Sequence, residues 1–166
     1  KVGAEVFAKY VGKDAHVLDA GAGTGLVGVV LAEMGYKDMV AMDLSAGMLE
    51  EAGKKGVYQS FDQMDMTKPL GYPDNAYDAV VCVGTLTVGH VPAMALDELV
   101  RVTKADGHIV FSLRPDVYTS NGFKEKQEAL EADGKWRLVE ATEPFQTMPK
   151  GEPDVYHQIW VYQVNE

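Results

Sequence analysis

Along the chain, short apolar runs alternate with segments in which apolar residues return every three or four positions. His16-Val17-Leu18-Asp19 reads as a buried strand. After it, Val27, Val30, Leu31 and Met34 fall at i, i+3, i+4 and i+7, the stripe of a helix that starts near Thr24 and that Gly35 can end. Met39-Val40-Ala41-Met42-Asp43 is a second strand, Ser45 can cap the helix that follows, and Gly56 can close it. A weaker third strand covers 57–61. Tyr77 to Val83 is apolar almost throughout, as a central parallel strand covered on both faces would be. Pro92 suits the first turn of a helix carrying Leu96, Leu99, Val100 and Thr103, which Gly107 ends before a fifth strand at 108–113. A further helix is expected over 120–133, stopped by Gly134. Ahead of the first strand, Ala4, Phe7, Ala8 and Val11 make one short amphipathic helix.

Two last strands, 136–143 and 156–164, are separated only by a loop around Pro149-Lys150-Gly151-Glu152-Pro153. Parallel neighbours need a crossover of roughly a dozen residues or more, usually helical, so this pair should be antiparallel. The pattern therefore predicts an α/β fold: a Rossmann-like, doubly wound, mostly parallel sheet of about seven strands with an antiparallel C-terminal hairpin. A chain of 166 residues suits a single domain over 1–166. Hydrophobic residues make up 46% and charged residues 24%, the balance of a globular protein with a sizeable core. No apolar run approaches the roughly 20 residues that span a bilayer. A membrane is therefore not an expected partner, and the net charge of -10, with scattered basic residues, repels a phosphate backbone, so nucleic acid is not expected either. A single cysteine, Cys82, excludes an internal disulfide and suits a reducing cytosol, so a cytoplasmic setting is expected.

The chemistry centres on Gly21-Ala22-Gly23-Thr24-Gly25, directly after the first strand. In open parallel sheets ligands bind beyond the carboxyl ends of the strands. Alternate glycines allow a tight turn and close approach of a ligand, and the amides opening the next helix can face an anionic group. A connecting turn without a ligand is the plain alternative. A dinucleotide site is a sharper one, because Gly23-Thr24-Gly25-Leu26-Val27-Gly28 satisfies G-x-G-x-x-G and Asp43 follows. Against it, the frame abutting the strand starts at Gly21, and Asp19 at the strand end would oppose a pyrophosphate. A cationic sulfonium ligand with an ammonium group tolerates that acid well.

Val17-Leu18-Asp19-Ala20-Gly21-Ala22-Gly23-Thr24-Gly25 resembles the first motif of class I S-adenosylmethionine-dependent methyltransferases. Asp43-Leu44-Ser45 with Met48-Leu49 is similar to their second motif. Gly25-Leu26-Val27-Gly28, Cys82 to His90 and Glu98-Leu99-Val100-Arg101-Val102 look most like the Williams–Beuren syndrome region methyltransferase-like proteins. The resemblance implies S-adenosylmethionine as cofactor, S-adenosylhomocysteine as product and a set of roles. Asp19, Gly21, Ala22, Gly23 and Gly25 would hold the amino-acid end. Asp43 would accept the ribose hydroxyls, or else cap the helix before Ser45. Leu44 and Met48 would pack against adenine, though Met48 also suits plain core. Asp65 with Met66 would meet the adenine amino group, with Asp62 as a rival nearer the strand end. Val83 and Gly84 would lie beside the methionine part. The resemblance also implies that a longer N-terminal lid segment is missing or truncated here.

Methyl transfer from a sulfonium relies on positioning, and a base is needed only where the acceptor must lose a proton in the attack. The segment 84–90 departs from the Asn/Asp-Pro-Pro-aromatic motif of methyltransferases acting on planar amino groups of bases, which counts against nucleobases and exocyclic amines; a small molecule is the expected acceptor. His90 is the candidate base, since an ordinary imidazole pKa of about 6.5 suits proton removal near neutrality; fixing its loop is the other reading. Arg114 and Tyr118 could hold a polar acceptor or serve only as surface and hinge. Cys82 reads as an inert buried thiol and the two tryptophans as core. No cluster has metal-ligand spacing. A nicotinamide oxidoreductase and a binding protein that transfers nothing are the competing functions.

Overall fold

The apolar runs become strands because their apolar residues are consecutive rather than spaced every three or four positions, the pattern of a segment covered on both faces of a sheet. The computed structural model describes residues 2–83, 92–120, 122–146 and 156–165. Four strands run parallel: β1 (Val17–Ala20), β2 (Met39–Asp43), β3 (Ser60–Gln63) and β4 (Tyr77–Cys82). β5 (Thr103–Leu113) joins β4, also parallel. β6 (Trp136–Ala141), β7 (Phe145–Gln146) and β8 (Tyr156–Val164) complete the sheet. Its order is β3-β2-β1-β4-β5-β8-β6, with β7 on β8 beyond β6. β8 is antiparallel to β5 on one side and to β6 on the other, in the register His108 opposite Gln163 and Trp136 opposite Val164. The expected antiparallel pair is present, and β8 is the strand that sits inside.

Successive strand residues face opposite sides, so the sheet feeds two cores. On one side Val17, Ala41, Val81 and Val161 pack under helices α1 (Val2–Tyr10), α2 (Leu26–Glu33) and α3 (Ala46–Gly53). On the other, Leu18, Met42, Val80 and Phe111 pack under α4 (Ala95–Val102), α5 (Pro115–Ser120) and α6 (Phe123–Ala132). Trp136 is fully buried and stacks on Tyr162 at 3.9 Å between ring centroids, and Trp160 stacks on Tyr118 at 4.7 Å. Cys82 is buried. Among the described residues no helix is long and apolar enough to cross a membrane.

Boundaries differ from the sequence pattern at several points: α4 starts at Ala95, with Pro92 ahead of it, and the strand expected over 136–143 stops at Ala141. β3 begins at Ser60, later than the apolar residues at 57 and 58, because Tyr58 turns into the α2 and α3 layer instead of joining the sheet. The helix expected to run through Thr103 to Gly107 ends at Val102, and Thr103 already belongs to β5. Gly107 serves a close approach rather than a helix end: a Cβ there would stand 2.9 Å from the Lys104 carbonyl oxygen and nearer still to that of Asp78. The register between β4 and β5 shifts at this point. The helix expected over 120–133 is instead α6, with the short α5 before it and Gly122 at φ 83° between them.

Candidate active site

β1 delivers the chain to a loop whose three glycines have φ of 72° (Gly21), 59° (Gly23) and 91° (Gly25), a region that side chains bearing Cβ rarely enter. The loop is tied to the end of β2. The amides of Gly21 and Ala22 both donate to the Met42 carbonyl, at 2.7 and 2.9 Å. The Gly23 amide donates to Asp43 Oδ2 at 2.8 Å. Gly25 is the N-cap of α2 and gives no side-chain cap; Leu26 and Val27 of the first turn border a cavity, which places the positive end of the helix dipole beside it.

That cavity has a volume of about 620 Å³, within the usual range for a small-molecule site, and lies at the carboxyl ends of β1, β2 and β4. Of the residues expected to bind, Gly21, Ala22, Gly23, Asp43, Leu44, Met48, Asp65, Met66 and Val83 all line it. Asp43 uses its second oxygen too: Oδ1 accepts the Ser45 amide at 2.9 Å, while Ser45 Oγ caps α3 by accepting from the Met48 amide at 3.2 Å. The cap is therefore Ser45, and Asp43 braces two loops. Beside it Leu44 and Met48 form an apolar shelf, 63% and 45% exposed. Asp65 sits in a tight turn, its Oδ1 accepting from both the Thr67 amide and hydroxyl at 2.8 and 2.6 Å. These bonds hold its carboxyl below the usual range. Its rival Asp62 does not line the cavity and accepts from the Tyr72 hydroxyl at 2.7 Å instead.

Two expected residues are not brought to the wall. Gly25 lies against Ala52 and Tyr58, and Asp19 is only 2% exposed. β1 turns the Asp19 side chain towards the α2 layer, where Oδ2 accepts from the Tyr58 hydroxyl at 2.5 Å. Burial pushes the Asp19 carboxyl up to about 6; the Tyr58 bond opposes the rise and the nearby Asp43 charge adds to it. At this depth its influence on the cavity is electrostatic, not by contact. His90 and Gly84 fall outside the described residues. Arg114 pairs with Asp116 at 3.0 and 3.1 Å, and Tyr118 is spent on Trp160.

Leu26, Val27, Met42, Met64 and Thr67 also line the cavity and were not among the site residues expected from the sequence; Thr24 and Ser45, read there as part of the glycine loop and as a helix cap, line it too. Thr67 had a signal, since Asp-x-Thr after a strand favours a turn closed by the acid. Tyr58 had none, because its partners lie 30 and 39 positions away.

Residues 18–111 match the family described as a methyltransferase domain. The chain belongs to that family. It is 39% identical over 119 residues to human methyltransferase-like protein 27, covering 71% of this chain and 46% of that protein. It is 39% identical over 95 residues to a demethylmenaquinone methyltransferase of Renibacterium salmoninarum, covering 57% of this chain and 39% of that one. The chain thus spans less than half the length of these curated relatives. Its fold is that of a SAM-dependent methyltransferase from Methanosarcina mazei, with a TM-score of 0.78 at 15% identity over 96% of this chain and 97% of that one. Family and fold imply S-adenosylmethionine as cofactor. The cavity fits it: glycines where the backbone must come close, a carboxylate at the end of β2, and an exposed apolar shelf beside that carboxylate.

Proposed function

We propose that this protein is an S-adenosylmethionine-dependent methyltransferase that methylates a small molecule and releases S-adenosylhomocysteine. The observation that carries the reading is the braced Asp43, held by the Gly23 and Ser45 amides at the rim of the glycine loop. A carboxylate oxygen has room for a second acceptor bond, so Asp43 stays able to take both ribose hydroxyls while its position is fixed. Leu44 and Met48 would lose their exposed apolar surface against the adenine, and Asp65 with Met66 would border its edge. The loop backbone and the first turn of α2 would meet the carboxylate of the amino-acid end, and the ionised Asp19 behind them favours its cationic groups. Val83 ends the wall on the side where the methyl group would face an acceptor.

When bound, the cofactor supplies a methyl group on a sulfonium, already activated for displacement. The protein's own task is then to orient the acceptor in line and keep water out. His90 is the base proposed for acceptors that must lose a proton. What favours a small acceptor over a nucleic acid is the net charge of -10, which repels a phosphate backbone. The Renibacterium relative, by its name, acts on demethylmenaquinone. A reducing, cytoplasmic setting is proposed from the single cysteine. The test is calorimetry followed by turnover. S-adenosylmethionine or its product should bind in the micromolar range, about -8 kcal/mol, and NADH not at all. Labelled S-adenosylmethionine with a metabolite extract should then give a labelled small product. Tight NADH binding, or label appearing only in macromolecules, would overturn the proposal.

A further inference from the structure

Tyr58 is not part of the cavity wall. It stands behind it, 8% exposed, on the connection from α3 to β3. Its hydroxyl donates to Asp19 Oδ2 at 2.5 Å, and the backbone of Gly28 hydrogen-bonds the same hydroxyl. Its ring fills the space a side chain at Gly28 would need: a Cβ there would overlap the Tyr58 Oη and Cζ atoms. At Gly25 a Cβ would stand 3.2 Å from Tyr58 Cε2. A single side chain, far away in sequence, therefore touches the end of β1, the last loop glycine and the first turn of α2.

We propose that Tyr58 is a positioning residue for the cofactor, an inference that rests on the reading of the cavity given above: its hydroxyl and ring hold the Asp19 carboxylate and the first turn of α2 in the arrangement that receives the cofactor's cationic amino-acid end. The need for such a brace follows from burial. A carboxylate at this depth resists ionisation, and the Tyr58 hydrogen bond is the influence that favours the charged form. The titratable groups that act on Asp19 are Tyr58 itself and Asp43, whose charge works the other way. Without the hydroxyl, Asp19 would keep its proton to higher pH and present less negative charge near neutrality. The glycine at position 28 follows from the same contact, since a methyl group there would push the ring off the loop.

The experiment is calorimetric titration of S-adenosylmethionine into wild type and Tyr58→Phe across a pH range on both sides of 6, with circular dichroism of the free proteins as a check on folding. Wild-type affinity should fall as the pH drops through about 6, where Asp19 takes up its proton. Tyr58→Phe should bind about tenfold more weakly at neutral pH, the loss of one hydrogen bond to a charged group, and its fall should begin at higher pH by about one unit. Gly28→Ala keeps both titrating groups but displaces the ring, and should weaken binding similarly, which decides the matter if Tyr58→Phe fails to fold. Affinity within twofold of wild type in either folded variant would overturn the proposal. So would weakening by the same factor at every pH, which would mark a packing role alone. Wild-type protein that binds neither S-adenosylmethionine nor S-adenosylhomocysteine would instead overturn the reading of the cavity, and this inference with it.

Discussion

Replacing Asp19 by Asn should make the free protein more stable and the cofactor complex weaker. The wild-type carboxyl moves from an ordinary value of 3.8 to about 6 on folding, chiefly because it is buried. The sign follows from proton counts. Between these two values the native state holds a proton that the unfolded state has released, so stability falls as the pH rises through this window. Above about pH 7 the full cost is present, roughly two units at about 1.4 kcal/mol each, or about 3 kcal/mol. Asn removes the charge yet keeps an oxygen that accepts from Tyr58; its new amide donors need partners, which takes back about 1 kcal/mol. The expected net gain is about 2 kcal/mol at pH 8, shrinking by more than half at about pH 5 as wild-type Asp19 takes up its proton. Urea unfolding of both proteins at the two pH values measures it directly. Calorimetry should show S-adenosylmethionine binding about tenfold weaker in the variant near neutrality, because the favourable charge is gone. A variant no more stable than wild type at pH 8, or one with an equal gain at both pH values, would refute the burial argument.

Asp43→Ala should cost several kcal/mol of cofactor affinity by calorimetry, and also about 1–2 kcal/mol of stability without ligand, since the Gly23 and Ser45 amides lose their acceptor. Arg101→Ala should destabilise by about 2–4 kcal/mol in urea unfolding, because its guanidinium donates to the Leu70 and Tyr72 carbonyls as well as to Asp74 and Glu98. Glu140→Gln should cost about 1 kcal/mol or less at neutral pH, by loosening α1. The Tyr10 hydroxyl and Lys9 hold the Glu140 carboxyl below its ordinary value, so this contribution is present at neutral pH and lost as acid protonates it. Thermal melts of both proteins at neutral and acid pH should converge at the acid end.

The parts of the fold that were legible in the sequence are those decided by local pattern. β1, β2 and β4 are apolar runs covered on both faces, and Ser45 caps α3 as its position before the helix indicates. The glycine loop and Asp43 were legible for the same reason, being neighbours of a strand end. What stayed hidden depends on distant partners. Gly107 punctuates a helix in sequence terms, yet its role is set by the carbonyls of Asp78 and Lys104 across the β4–β5 junction. Asp19 looked like a pocket residue because it ends a strand beside the loop, but side-chain alternation turns it inward to Tyr58. Of Asp62 and Asp65, Asp62 is drawn to Tyr72, a contact that shows in no local pattern, and Asp65, held by Thr67, lines the cavity.

The placement of β8 has a consequence for how the chain comes together. It lies between β5 and β6, buried from Ile159 to Tyr162, and among the described residues it is the strand that joins β6 to the rest of the sheet. Until residues 156–164 emerge from the ribosome, β5 carries an open edge of apolar strand and β6 lacks the strand it pairs with. Exposed edges of that kind recruit other chains. The nascent protein should therefore be most prone to aggregate just before synthesis of its last described strand, and a nonsense change ahead of Tyr156 should yield insoluble product even though every residue lining the cavity would already have been made.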